Sequence, residues 1–196
     1  MNENTNKKGI FLTGTDTDIG KTYIAALLVK KLIGAGKDSS FFKVALSDEV
    51  YHDVLISSDV RYVCDFAGLK DDPLSLVSSA YRYPGKMFAS DSISPFDTKT
   101  ILRDYSKLLQ NHEFIVAEGS GSSICDTDDD GGIIVITDVI LALGLDAVVV
   151  ATAGIGTVNH TVLTCAYLAY KGINIRGIIL NHFDDNNKVH LDNRNL

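Results

Sequence analysis

Gly20-Lys21-Thr22 is the part of this 196-residue chain whose residue types imply chemistry most directly. It closes the turn Gly14-Thr15-Asp16-Thr17-Asp18-Ile19-Gly20, which follows the apolar run Ile10-Phe11-Leu12 and opens the helical stretch Tyr23 to Leu32. A strand, a glycine-bounded turn and a helix starting on Gly-Lys-Thr point several backbone N–H groups and a helix N-terminus at one anion. Lys21 is then available to β and γ phosphates and the Thr22 hydroxyl to Mg²⁺. The leading glycine stands at Gly14, one residue earlier than the strict spacing, and the flanking strand and helix supply the context the motif needs. Asp18, Ile19, Gly20, Lys21, Thr22 and Tyr23 are the expected cradle for a nucleoside triphosphate. The two carboxylates in the turn, Asp16 and Asp18, suggest a second, cationic substrate.

Three further residues have types that are hard to place without a task. Glu118 ends the apolar run Phe114-Ile115-Val116-Ala117 and is followed by Gly119-Ser120-Gly121. A carboxylate there is costly to bury unless a cation compensates it. Lys43 sits inside the apolar run from Ser40 to Ser47; spacing alone favours an edge position with its ammonium in solvent. Ser58-Asp59 reads as a helix start, with Ser57, Ser58 or Asp59 as the cap.

The elements that must position these residues alternate. Apolar runs at 10–14, 40–47, 114–121, 146–154 and 175–180 read as strands, with helices predicted from Tyr23 to an end near Gly34 and Gly36, near 58–68 and 98–110, and at 136–145 and 161–171. Continuously apolar strands alternating with helices predict a three-layer α/β/α fold with a mostly parallel sheet, like that of the P-loop NTPases. Ligands in such folds sit beyond the carboxyl ends of the strands. Every strand here ends there on a polar or glycine-rich signature: the phosphate loop, Lys43 to Ser47, Glu118 to Gly121, Gly154 to Asn159, and Asn181. That convergence lifts Lys43 and Glu118 above their structural readings.

Composition bounds the rest. With 45% apolar and 22% charged residues the chain fits one globular domain spanning 1–196. A net charge of −7 argues against nucleic acid as a partner. No apolar run reaches membrane-spanning length and residues 1–8 are polar, so the expectation is a cytoplasmic protein with no membrane contact. Cys64, Cys125 and Cys165 have no C-x-x-C spacing and suggest neither disulfides nor a thiolate zinc site. Asp126-x-Asp128-x-Asp130-Gly131 resembles half of a calcium loop, but Thr137 stands where a bidentate Glu is needed, and a solvated acidic turn is favoured.

The phosphate loop, Lys43-Val44-Ala45-Leu46-Ser47, Ser58-Asp59, Glu118-Gly119-Ser120-Gly121, Gly154-Ile155-Gly156-Thr157-Val158-Asn159-His160 and Leu180-Asn181 together resemble the dethiobiotin synthetase family, in the family's order. The resemblance implies an ATP- and Mg²⁺-dependent ligase of biotin biosynthesis that closes a cyclic urea from 7,8-diaminononanoate and CO₂, working as a homodimer. It implies that Thr22, Asp59 and Glu118 hold Mg²⁺, and that Lys21 and Lys43 neutralise charge on the carbamate and the transferring phosphoryl. Asp59, Glu118, Gly119, Ser120, Gly121 and Asn181 would join the nucleotide site, with Asn181 reading the adenine edge. Thr17, Ser47, Thr157, Val158 and Asn159 would bind the substrate, the last three meeting its carboxylate across the dimer interface. The chain departs from the family at Gly121-Ser122, around Met87 to Ser94, and after Lys43, where a proline is common. It stops at Leu196, short of the region that in the family encloses the adenine, so weak discrimination between ATP and GTP is expected. The alternatives are a related phosphate-loop ATPase acting as a switch, an amide-forming ligase for another acid, and a binding-only relative.

Overall fold

A computed structural model describes residues 8–44, 57–79, 98–119, 124–127 and 133–196, with the backbone alone at 124–127 and 133–135. In chain order the elements are β1 Gly9–Gly14, α1 Lys21–Gly34, β2 Ser39–Lys43, α2 Ser58–Ala67, a 3₁₀ turn Pro73–Leu76, α3 Thr98–Leu109 and β3 Phe114–Glu118. They continue with β4 Ile124–Thr127, β5 Ile133–Val135, α4 Ile136–Leu143, β6 Asp146–Thr152, α5 Thr157–Tyr170, β7 Ile175–Asn181 and α6 Lys188–Asn195.

Five strands form one sheet in the order β2-β3-β1-β6-β7, every pair parallel, and β4 and β5 pair antiparallel in a separate two-stranded sheet. The apolar runs dictate this, because a strand with large aliphatic side chains on both faces is stable only when both are covered. Phe11, Phe41, Phe42, Ile115, Val116, Val149 and Val150 are fully buried. β1 lies at the centre, with Leu12 opposite Glu118 on one side and Val148 on the other. From β1 the chain crosses to β2 and from β6 it crosses to β7, in opposite directions along the sheet. Right-handed crossovers therefore put α1 and α5 on opposite faces and open a crevice beyond the ends of β1 and β6.

Most predicted elements stand at or near their expected bounds. β2 stops at Lys43 rather than Ser47, and residues 45–56 lie outside the described segments, Ser47 with them. α5 starts at Thr157, a turn earlier than expected, because Gly156 takes the left-handed conformation (φ 86°) that lets the chain enter the helix there. β4, β5 and α6 have no counterpart among the predicted elements. Asp128, Asp130 and Gly131 of the acidic stretch fall outside the described residues, and Asp126 is part of β4.

At the opposite end of the strands from the crevice, His112 staples three segments. Its Nδ1 lies 2.8 Å from Asp38 Oδ1 and its Nε2 2.8 Å from Asp71 Oδ1, and Ser40 Oγ donates to the second carboxylate at 3.0 Å. Burial alone would push the His112 pKa down, but hydrogen bonds to Asp38 and Asp71 and their charge override it and hold the pKa above the ordinary histidine value. A raised folded-state pKa contributes stability that is complete below the unfolded value of about 6.5 and is lost as pH rises through the folded one. His112→Gln should thus cost about 1 to 2 kcal/mol at pH 5.5 and much less at pH 9. Urea unfolding of both proteins at the two pH values checks it, and an equal cost at both would remove the charge from the explanation.

Candidate active site

The phosphate loop takes its shape from two unusual backbone positions. Gly20 has φ 85° and Asp18 φ 54°, both left-handed, and the turn between them carries the chain from β1 into α1. Gly20 sits at the N-cap of α1, where it offers no side chain, and the first turn holds neither a side-chain cap nor an acidic residue. The leading amides of α1 are thereby left for an anion. By contrast Asn187 caps α6 through Val189 N, and Asp72 caps the 3₁₀ turn through Leu74 N. α5 repeats the arrangement of α1, with left-handed Gly156 at its N-cap and no capping side chain. Two uncapped helix starts thus rise from the carboxyl edge of the sheet.

The loop is fastened at three points. Thr15 N donates to Val150 O of β6 at 3.0 Å, Lys21 Nζ donates to Asp16 O at 2.8 Å, and Asn181 Nδ2 donates to Ile19 O at 2.9 Å. The last contact brings the end of the edge strand β7 against the turn. A Cβ on Gly20 would stand 2.2 Å from Asn181 Nδ2. Gly20→Ala should therefore cost about 1 to 2 kcal/mol through its left-handed backbone and also detach Asn181 from Ile19. Thermal unfolding and ATP titration together check this, and a variant matching the parent in both would show that Asn181 yields freely.

Beside the loop lies a buried charge cluster assembled from four elements. Lys43, the last residue of β2, places its ammonium 2.8 Å from Glu118 Oε1 at the end of β3 and 2.5 Å from Asp59 Oδ2 in the first turn of α2. Thr22 Oγ1, in the first turn of α1, donates to the same Glu118 Oε1 at 2.8 Å. Register fixes two of these, since Lys43 and Glu118 are directly paired across β2 and β3. Lys43 is 2% exposed, Glu118 1% and Asp59 23%. β2 is indeed an edge strand, but the solvent-facing reading of Lys43 is wrong: two carboxylates at the carboxyl end draw its side chain inward. Nor is Asp59 a helix cap. Ser57 holds the N-cap position of α2 without a side-chain hydrogen bond, and Asp59 turns to Lys43.

Electrostatics follow from the burial. Desolvation presses the Lys43 pKa down, but the charges of Glu118 and Asp59 and their hydrogen bonds more than offset it, so the ammonium is held above the ordinary lysine value. Lys21 goes the other way. Its burial, with the nearby Lys43 charge, outweighs the attraction of Glu118, Asp18 and Asp59 and lowers its pKa. Glu118 Oε2 is buried with no hydrogen-bond partner, a costly state for a carboxylate oxygen that a cation would relieve. Among the described residues no three His, Cys, Asp or Glu side chains form a metal cluster. Two carboxylates and a hydroxyl nevertheless suit Mg²⁺, which takes one or two carboxylates and draws its other ligands from phosphates and water. The residues present fit the ion.

Of the other expected site residues, Thr157 is buried with its hydroxyl unpartnered, Val158 is half-buried, Asn159 and Thr17 are exposed, and Gly119 follows β3. Ser120 and Gly121 fall outside the described residues. Two contacts escape sequence reasoning: Asn181 on the Ile19 carbonyl, and Asn193 of α6, whose Nδ2 donates to Ala153 O and Gly154 O at 2.9 Å each. The position of Asn181 at a strand end is a signal for the first, whereas Asn193 stands in a polar tail that carries none.

A family model described as an AAA domain matches residues 8–195. The chain is 36% identical over 190 residues to the ATP-dependent dethiobiotin synthetase BioD of Clostridium botulinum, covering 95% of this chain and 84% of that protein. It is 39% identical over 193 residues to the protein of the same name from Clostridium acetobutylicum, covering 96% and 80%. The chain belongs to the dethiobiotin synthetase family. Its fold is shared by solved structures. The kinase domain of Escherichia coli tyrosine kinase ETK superposes with a TM-score of 0.56 at 15% identity, covering 94% of this chain and 71% of that one. The MinD cell division protein of Aquifex aeolicus gives 0.54 at 13% identity, covering 90% and 70%. At such identities the likeness concerns the fold alone. Among the described residues no helix is long and apolar enough to cross a membrane.

Proposed function

We propose that this chain is an ATP-dependent ligase that makes dethiobiotin, closing a cyclic urea from 7,8-diaminononanoate and CO₂ with release of ADP and phosphate. The observation that carries this reading is the buried Lys43–Glu118–Asp59–Thr22 cluster at the mouth of an uncapped phosphate loop. One amino group of the diamine takes up CO₂ as a carbamate. A carbamate oxygen attacks the γ-phosphorus of ATP, the bond to the β-phosphate oxygen breaks, and a mixed anhydride forms. The second amine then attacks the carbonyl carbon and phosphate leaves as the ring closes. Such chemistry needs positioning and cation density more than a covalent nucleophile.

The amides from Asp18 to Tyr23 and the Lys21 ammonium bind the phosphates, and Asn181, with Gly119, Ser120 and Gly121, completes the nucleotide site. Thr22, Asp59 and Glu118 hold Mg²⁺, which when bound neutralises phosphate charge during transfer. Lys43 stabilises charge on the carbamate and transferring phosphoryl. Thr17 and Ser47 bind the substrate, while the uncapped start of α5, with Thr157, Val158 and Asn159, receives its carboxylate from a second copy in a homodimer.

Incubation with ATP, Mg²⁺, bicarbonate and the diamine, with each omitted in turn, tests the reading. ADP release should require all four and match the cyclic urea formed. Release that persists without diamine would replace the ligase by an ATPase switch.

A further inference from the structure

Lys43 and the divalent metal draw on the same oxygens. The Lys43 ammonium is bonded to Glu118 Oε1 at 2.8 Å and to Asp59 Oδ2 at 2.5 Å, and Thr22 Oγ1 donates to that same Glu118 oxygen. These three partners are also the groups given to Mg²⁺ above. Two carboxylates therefore share one ammonium, with Lys43 and Glu118 almost closed to water and Asp59 partly open to it. A doubly charged ion entering among them meets the lysine charge at a few ångströms with little screening, and the two cannot both be held closely.

The backbone allows an exchange. Lys43 is pinned at its main chain, where Ser78 N donates to Lys43 O at 3.1 Å and the next residue, Val44, donates to Glu118 O at 3.0 Å. Its four-carbon stem turns about its own bonds without disturbing β2. We propose that Lys43 and Mg²⁺ occupy Glu118 and Asp59 in alternation, so that the metal arriving with the nucleotide displaces the ammonium and the displaced lysine swings onto the carbamate and the transferring phosphoryl. This rests on the metal assignment to Thr22, Asp59 and Glu118. It makes addition ordered: metal nucleotide first, then the lysine becomes available to the second substrate.

A rival arrangement has the opposite signature. If the metal used the unpartnered Glu118 Oε2 and Lys43 stayed between the carboxylates, the lysine would be orienting the metal's ligands, and its loss would weaken the metal. Mn²⁺ binding, followed by the paramagnetic resonance signal of free Mn²⁺ with and without ADP, separates the two. Lys43→Met should bind Mn²⁺ about tenfold more tightly than the parent, within the usual range for coupled sites. Unchanged or weaker binding overturns the exchange.

Lys43→Met removes the counter-ion of a buried glutamate and the variant's folding is not assured, so a second measurement uses the parent protein. Reductive methylation of Lys43, read by peptide mass spectrometry, should accelerate at least about fivefold on adding Mg²⁺ and ADP. No acceleration, or protection, overturns the proposal as well. Glu118→Gln keeps the two failures apart. If it binds Mn²⁺ like the parent, the metal assignment falls and the exchange with it. If it binds Mn²⁺ weakly while Lys43→Met shows no tightening, the exchange alone falls.

Discussion

Lys43→Gln lowers the rate of dethiobiotin formation by about 10²- to 10³-fold, the usual loss for one preorganised donor at a developing charge, and does not weaken ATP binding. The expectation comes from the geometry around β2. Lys43 is 2% exposed and stands across the cluster from Lys21, whose own ammonium lies over the phosphate loop on Asp16 O. The amides of α1 and Lys21 therefore account for the nucleotide, and Lys43 is free to act on the group being transferred. Glutamine keeps a hydrogen-bond donor for Glu118 and removes the charge, so the fold is challenged less than by an apolar residue. Turnover and ATP titration by calorimetry, measured together, decide it. A parallel fall in both would make Lys43 a holder of ATP and nothing more.

Glu118→Gln abolishes Mg²⁺-dependent turnover, a loss of at least about 10²-fold, in a protein that still folds. Glutamine has the same shape, and its carbonyl oxygen accepts from Thr22 Oγ1 and Lys43 Nζ as Glu118 Oε1 does now at 2.8 Å each. What disappears is the charge, together with the partnerless Oε2 that marks a cation's place. Lys43 keeps Asp59 as a counter-ion, so no lone buried charge is created. Turnover measured against Mg²⁺ concentration shows whether activity is lost at all concentrations or merely displaced. Parent-like turnover at matched Mg²⁺ would take Glu118 out of the metal site.

The sheet was legible because burial on both faces writes itself into the chain as unbroken apolar runs, as in Val148-Val149-Val150 and Ile115-Val116-Ala117. The site was legible because those runs end on residues that make no sense as core. The partnership inside the site was less so. Spacing made Lys43 an edge residue, and β2 is an edge strand, yet nothing local reveals that the register sets Lys43 against Glu118 and that α2 brings Asp59 to the same ammonium. Asp59 looked like a cap because a carboxylate in a first helical turn has a sufficient local explanation, and only the tertiary contact overrides it. Elements without an apolar period were missed altogether. α6 buries none of its residues, so Lys188 to Asn195 carries no stripe to read, and β4 with Asp126 was read through its acidic composition as a turn.

The strand order has a consequence for how the molecule is made. β1 spans residues 9–14, and its partners are β3, about a hundred residues later, and β6, later still at 146–152. No neighbour of β1 in sequence pairs with it, since β2 lies beyond β3. On the ribosome, the apolar segment Ile10-Phe11-Leu12 has no lateral partner until most of the chain has been synthesised, and the loop behind it has no Val150 carbonyl on which to fasten Thr15. Sequence-distant parallel pairing of this kind folds slowly and leaves sticky intermediates exposed. The phosphate loop thus emerges before either strand that flanks β1 and takes its working shape only after β6, and chain growth that slows or halts before β6 leaves β1 with one of its two edges unpaired in a crowded cell.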